Sequence, residues 1–219
     1  MRDGRGWAAV LFDLDGTLAD TTELILSCYR HTMRVHLGET PPDERWIAGM
    51  GTPLRVQLRD FAKDAEEAER MAETYSSYQR SIHDGMVRPY PGAMEVVRSF
   101  RATGAAVAVV TSRRTVMAQR TLACCGLTED IDVLIGADDV VNAKPDPEPV
   151  RLALERLGLP SDAGRTLLVG DSPFDIRAGR AAGTRTAAVL WGPFAREALL
   201  AEEPDHVVAR VEELLALRP

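Results

Sequence analysis

Hydrophobic and polar positions along this chain fall into two regimes. Residues 8–14 form a short apolar run interrupted at Asp13, and residues 106–110 and 132–135 read the same way, each of strand length. From Met86 onward such runs alternate with stretches of helical periodicity. Ala93, Val96, Val97 and Phe100 share one helical face, and Val150, Ala153, Leu154 and Leu157 share another that stops at Gly158 with Pro160 beyond. Residues 114–123 predict a helix closed by Gly126, and residues 174–182 one with Pro173 at its first position and Gly183 past its end. Further strands are expected at 166–169 and, as edges, at 186–190 and 207–208, with a closing helix at 211–217. Strand and helix alternating in this way build right-handed crossover units around a parallel sheet. The expected class is therefore α/β, doubly wound and Rossmann-like, with helices on both faces.

Residues 21–85 break the alternation. Leu24, Cys28, Thr32 and Val35 mark one helical face, Leu54, Leu58 and Phe61 a second, and Ala65, Ala68, Ala72, Tyr75 and Ile82 a third, with no convincing strand between them. A first parallel strand should soon meet its next neighbour, so this block reads as an insertion: a helical cap domain at 21–85 on a core made of residues 1–20 and 86–219.

Composition narrows the classes of function. The 219 residues carry 33 acidic and 26 basic side chains, a net charge of −7, with 45% hydrophobic and 27% charged positions. That is ordinary for a globular protein, and its acidity disfavours partnership with nucleic acid or a membrane surface. No apolar run approaches the ~18 residues of a spanning helix, and the charged start of the chain lacks a signal-peptide core. Cys28, Cys124 and Cys125 are odd in number, without metal-type spacing. The adjacent pair reads as helix packing in a reducing cytoplasm.

Candidate chemistry lies at strand ends. Phe12-Asp13-Leu14-Asp15-Gly16-Thr17 closes the first apolar strand with two carboxylates, expected on one side of it by alternation. Gly170-Asp171-Ser172-Pro173-Phe174-Asp175 repeats the arrangement after residues 167–169. Ligands of open α/β sheets collect at the carboxyl ends of strands, so Asp13, Asp15, Asp171 and Asp175 are expected to converge there. Like charges so placed need compensation, and hard oxygen ligands with room for water suit Mg²⁺. Thr111 and Ser112 end another strand with hydroxyls and amides, and Lys144 supplies a cation. Taken singly, Asp171-Ser172-Pro173 also reads as a helix cap, Thr111 and Ser112 as another, and Lys144 as a surface lysine. Asp13 inside a buried strand has no such bland reading.

In these four motifs the sequence resembles the haloacid dehalogenase superfamily, in its subclass with a helical cap after the first strand. The Lys144 to Pro149 run, Glu23 and Ala182-Gly183-Thr184 look most like phosphoglycolate phosphatases and related bacterial pyrophosphatases. The resemblance implies an Mg²⁺-dependent phosphoric monoester hydrolase acting on a small phosphorylated metabolite, with phosphoglycolate or pyrophosphate first. Asp13 would be the nucleophile and Asp15 the acid and base, entering protonated. Asp13, the Asp15 backbone carbonyl and Asp171 would hold the metal, with Asp175 behind them. Thr111, Ser112 and Lys144 would bind phosphate, and Gly51 and Arg55 of the cap would reach the substrate. Alternatives are a phosphomutase of the β-phosphoglucomutase type, a sugar or nucleoside monophosphate phosphatase, and a non-enzymatic receiver-like phosphate sensor. The expected assembly is a monomer or homodimer.

Overall fold

Aliphatic residues fill β1 (Ala9–Phe12), and all four are buried. In the computed structural model, which describes residues 6–219, that strand becomes the spine of the sheet. Apart from Gly6, the charged start of the chain lies outside the described residues. β1 stops one residue before Asp13, shorter than the expected 8–14. A two-residue strand, β2 (Ala19–Asp20), follows, then four helices: α1 (Thr22–Leu37), α2 (Asp43–Ile47), α3 (Leu54–Leu58) and α4 (Ala65–Met86). The chain re-enters the core through β3 (Arg88–Pro89), which pairs antiparallel with β2. Two-residue strands are too short to carry a period, so the pattern gave no sign of this pair.

Strand and helix then alternate as the pattern predicts, apart from α9, which it did not mark: α5 (Ala93–Ala102), β4 (Ala106–Val110), α6 (Thr115–Cys124), β5 (Val133–Ile135), α7 (Glu148–Arg156), β6 (Thr166–Gly170), α8 (Pro173–Ala182), β7 (Arg185–Val189), α9 (Arg196–Leu200) and β8 (His206–Val208). The final segment, Val211–Ala216, is a 3₁₀ turn and not the α-helix expected at 211–217. Six strands form one parallel sheet in the order β5-β4-β1-β6-β7-β8. β7 lies between β6 and β8, so it is an interior strand and the edge assignment is corrected.

Pleating sorts the side chains into two layers. Ala9, Leu11, Ala108, Val110 and Leu168 pack on one face with Val150 and Ala153 of α7 and Ala178 of α8. Val10, Phe12, Val107, Val109, Leu167 and Val169 face α5 through Val96, Val97 and Phe100, and this core runs on into the helical segment. There Trp46 stacks between Tyr29 and Tyr75, with ring centroids 4.9 and 5.7 Å away. Cys28 and Cys125 are buried, but Cys124 is exposed, so half of the adjacent pair does not pack as expected. Among the described residues no helix is long and apolar enough to cross a membrane.

Register fixes what comes next. Phe12 pairs with both Val109 and Val169, so the carboxyl ends of β1, β4 and β6 lie level. The chain winds outward through β4 and β5 and returns to the other flank of β1 with β6, a switch point that leaves a crevice above the strand ends. Leu11 is fully buried at the centre of this sheet. Replacing it by alanine is expected to cost about 2–5 kcal/mol in equilibrium urea unfolding, and a loss under about 1 kcal/mol would contradict the packing described.

Candidate active site

Past the end of β1 the backbone of Asp13 still donates to the Val169 carbonyl of β6 at 2.8 Å, which holds its side chain over the strand ends. Asp13 is buried. Lys144 Nζ donates to Asp175 Oδ1 at 2.5 Å and to the Val110 carbonyl at 3.1 Å, and it also pairs with Asp13 Oδ1 at 3.0 Å. Among the described residues this ion pair is the one partner of the buried Asp13 Oδ1. Asp175 Oδ2 closes a capping box on α8, accepting from Ser172 N at 3.1 Å and Ser172 Oγ at 2.5 Å. The helix-cap reading of these residues is thus true as well, and the same Asp175 also holds Lys144. Asp171 accepts from Thr17 Oγ1 at 2.8 Å. Space for its carboxylate comes from Gly16, at φ 80°, and from Gly192, at either of which a Cβ would overlap it.

Asp13, Asp171 and Asp175 offer oxygens that all lie within 4.8 Å of one another. One lysine faces three buried carboxylates. Burial pushes Asp13 up to about 7, with the Lys144 charge pulling down and the Asp175 and Asp15 charges pushing further up. Asp171 is also raised well above the ordinary range, by burial and then by Asp13 and Asp175. The fit to a divalent cation rests on this geometry: a hard, all-oxygen set and an excess of negative charge that one lysine does not balance.

Asp15 does not join that cluster. It lies beyond the end of β1, so strand alternation no longer holds its side chain beside Asp13, and it turns to a different cation. Arg113 grips it in bidentate fashion, Nε to Oδ2 at 2.8 Å and Nη2 to Oδ1 at 2.5 Å, and Thr21 Oγ1 donates to Oδ1 at 2.6 Å. Burial alone would raise Asp15, but the Arg113 charge and these hydrogen bonds hold it below its usual value. The expectation that Asp15 enters protonated does not match this arrangement, in which it is a carboxylate. The residue pattern did not single out Arg113, Thr21 or Gly192, and it offered Thr17 only as the end of the first motif. The one available signal was a basic residue two positions after Thr111.

Asp13, Asp15, Asp171, Thr111 and Ser112 line one cavity of about 820 Å³, and the helical segment contributes Gly51 and Arg55 to its wall. Lys144 and Asp175 sit behind that wall, fully enclosed. Ser112 Oγ donates to the Gly51 carbonyl at 2.5 Å, tying the helical segment to the core. Arg55 is mostly exposed and pairs with Glu69. A second group of ligand-type atoms, on His83, Asp84 and Cys124, was not visible from spacing. Its Asp84 carboxylate is already spanned by Arg120, with both bonds at 2.8 Å.

The family model for haloacid dehalogenase-like hydrolases matches residues 10–189, the stretch from β1 to the end of β7. The chain belongs to that family. Within these haloacid dehalogenase-like hydrolases it is 40% identical over 209 residues to a PpaX-type protein of Caldanaerobacter subterraneus subsp. tengcongensis, covering 95% of this chain and 93% of that one. It is 36% identical over 207 residues to Pyrophosphatase PpaX of Bacillus velezensis, covering 94% of each. Among solved structures, a predicted phosphoglycolate phosphatase from Haemophilus somnus 129pt shares the fold with a TM-score of 0.87 at 22% identity, over 96% of this chain and 97% of that chain.

For a hydrolase of this family the raised Asp13 has a measurable sign. Native Asp13 loses its proton near pH 7, whereas an ordinary aspartate does so near 3.8. Between those values the native state holds the extra proton, so stability falls as pH rises and levels off above about 7. With a chelator present, the unfolding free energy is expected to drop by on the order of 1 kcal/mol between pH 5.5 and 7.5, and Asp13→Asn to shrink the drop, with Asp171, also raised, accounting for what is left. Urea unfolding at the two pH values checks this; a flat or rising wild-type profile contradicts it.

Proposed function

We propose that the chain is an Mg²⁺-dependent phosphatase of the cytoplasm that hydrolyses a small phosphorylated metabolite through a phosphoaspartate on Asp13. The observation that carries the reading is the buried Asp13-Asp171-Asp175 cluster, with one lysine to balance three carboxylates, beside a cavity. Asp13, Asp171 and the Asp15 backbone carbonyl would hold the cation, with Asp175 behind them. When bound, it supplies charge neutralisation as phosphoryl oxygens approach the nucleophile.

Asp13 attacks phosphorus, the bond to the leaving oxygen breaks, and an acyl phosphate forms on the aspartate. The Thr111 hydroxyl, the Ser112 amide and Lys144 stabilise the phosphoryl oxygens during transfer. Lys144 has a second duty, since its bond to Asp175 fixes it against Asp13. Asp15 serves the second half of the reaction in the form seen here: as a carboxylate it takes a proton from the water that cleaves the acyl phosphate. To donate a proton to the leaving oxygen first, it must part from Arg113 and take up a proton from solvent, which it recovers from the attacking water in the second half. Residues 21–85 act as the cap, with the Gly51 loop docked on Ser112 to exclude bulk water.

The PpaX relatives put pyrophosphate first among compounds to try, and the phosphoglycolate phosphatase neighbour puts phosphoglycolate second. Asp13→Asn is expected to lower phosphate release about 10³-fold or more while circular dichroism and thermal unfolding show an intact fold. Turnover retained within about tenfold of wild type would contradict the nucleophile assignment. Removing divalent ions with EDTA is expected to abolish phosphate release and excess Mg²⁺ to restore it; release unaffected by EDTA contradicts the metal assignment.

A further inference from the structure

Away from Asp13, one group of side chains remains without a role. His83 and Asp84 stand in the last turn of α4, a few residues before β3 returns the chain to the core, and Cys124 ends α6 of the core. An imidazole nitrogen, a carboxylate oxygen and a thiol sulfur lie there within 4.8 Å of one another. They come from both sides of the junction between the helical segment and the sheet. Mixed nitrogen, sulfur and oxygen donors are the set that binds zinc-class cations, whereas Mg²⁺ takes oxygen alone.

Asp84 Oδ1 is the common point. His83 Nδ1 donates to it at 2.8 Å and the Cys124 thiol at 3.5 Å. Two donors bound to one tetrahedral zinc stand roughly 3.3–3.6 Å apart, as bonds of about 2.0–2.3 Å require. The protons of these two hydrogen bonds thus stand in for an ion, and the heavy atoms need to shift by about 1 Å or less to exchange them for one.

The far side of the imidazole is provided for as well. His83 is fully buried, and its Nε2 lies 2.9 Å from Thr121 Oγ1. A hydroxyl both donates and accepts, so it holds the ring in either tautomer and accepts from Nε2 once Nδ1 takes a metal. Burial holds His83 below its usual value, which keeps the ring neutral. Cys124 is exposed, while Cys28 and Cys125 are buried. Partial burial and the Asp84 carboxylate push the Cys124 thiol up, so an ion must displace the thiol proton, and binding releases it to solvent.

Arg120 is the competitor. Its Nε and Nη2 span the Asp84 carboxylate at 2.8 Å each, yet the Asp84 side chain is 60% exposed and that of Arg120 37%. An ion pair at such a surface adds little, and it gives way when the arginine turns to solvent. Arg88 bonds the Asp84 backbone carbonyl, at 3.2 Å, and not its carboxylate.

We propose that His83, Asp84 and Cys124 bind one zinc-class divalent ion, with water as its fourth ligand, and that the ion clamps α4 to α6 where the helical segment joins the core.

The full chain is titrated with Co²⁺, a coloured substitute for zinc, in excess Mg²⁺ to fill the acidic cluster. One equivalent is expected to raise a thiolate-to-cobalt charge-transfer band in the near ultraviolet, which Zn²⁺ bleaches and Cys124→Ser loses. Arg120→Met, relieved of the competing charge, is expected to bind about tenfold more tightly. In hydrogen exchange, Zn²⁺ is expected to slow the amides of 80–86 and 118–124 in the wild type and not in Cys124→Ser. A wild type with no band, or a band that survives in Cys124→Ser, overturns the site. Unchanged affinity in Arg120→Met overturns the displacement of Arg120, and exchange that Zn²⁺ leaves unaltered overturns the clamp. These readouts are independent of phosphate release.

Discussion

Three buried carboxylates packed around one buried lysine are the constraint on which this structure turns. Asp13, Asp171 and Asp175 come from two separate stretches of chain, and among the described residues Lys144 alone stands among them to balance their charge. Such an arrangement is costly in the absence of a proton or a cation, and the upward pressure on Asp13 and Asp171 is that cost expressed as proton affinity. On the proposed function, that lost stability is exchanged for a site where phosphoryl oxygens would be met by a metal and a nucleophile together.

The sheet exists in the form that makes this possible. β1 lies between β4 and β6 in one register, so three loops open on the same crevice. Glycine at 16 and 192 lets backbone approach Asp171 more closely than any side chain would allow. Asp175 ties the electrostatics to the fold, since its two oxygens serve the α8 capping box and Lys144 at once. The second acidic centre is kept apart from the first by a cation of its own. Arg113 holds Asp15 as a carboxylate, which on the proposed mechanism separates the group that would receive phosphate from the group that would handle protons.

Much of this was legible in the residues, and the parts that were not have physical reasons. Parallel strands buried on both faces read as short apolar runs, and their helices show a clear period, so the core elements and the helical insertion were visible. The motifs at strand ends located Asp13, Thr111, Lys144 and Asp171 because chemistry and register coincide there. Strand order was less accessible: β7 looked like an edge because Thr186 and Leu190 carry no mark of the neighbour that covers them. Asp15 was placed beside Asp13 by extending strand alternation past the point where β1 ends. Its partner Arg113 is separated from it by 98 positions, and nothing local in the sequence shows which of many arginines will turn inward. Glycines that make room for a carboxylate look the same as glycines that make turns.

The central claim is that a divalent ion completes the acidic cluster. Calorimetric titration of the metal-free protein with Mg²⁺ near pH 7.5 tests it most directly. The account predicts one ion per chain, bound with release of protons, and loss of that binding in Asp171→Asn. Absence of binding in the wild type, or binding unchanged by Asp171→Asn, would contradict it.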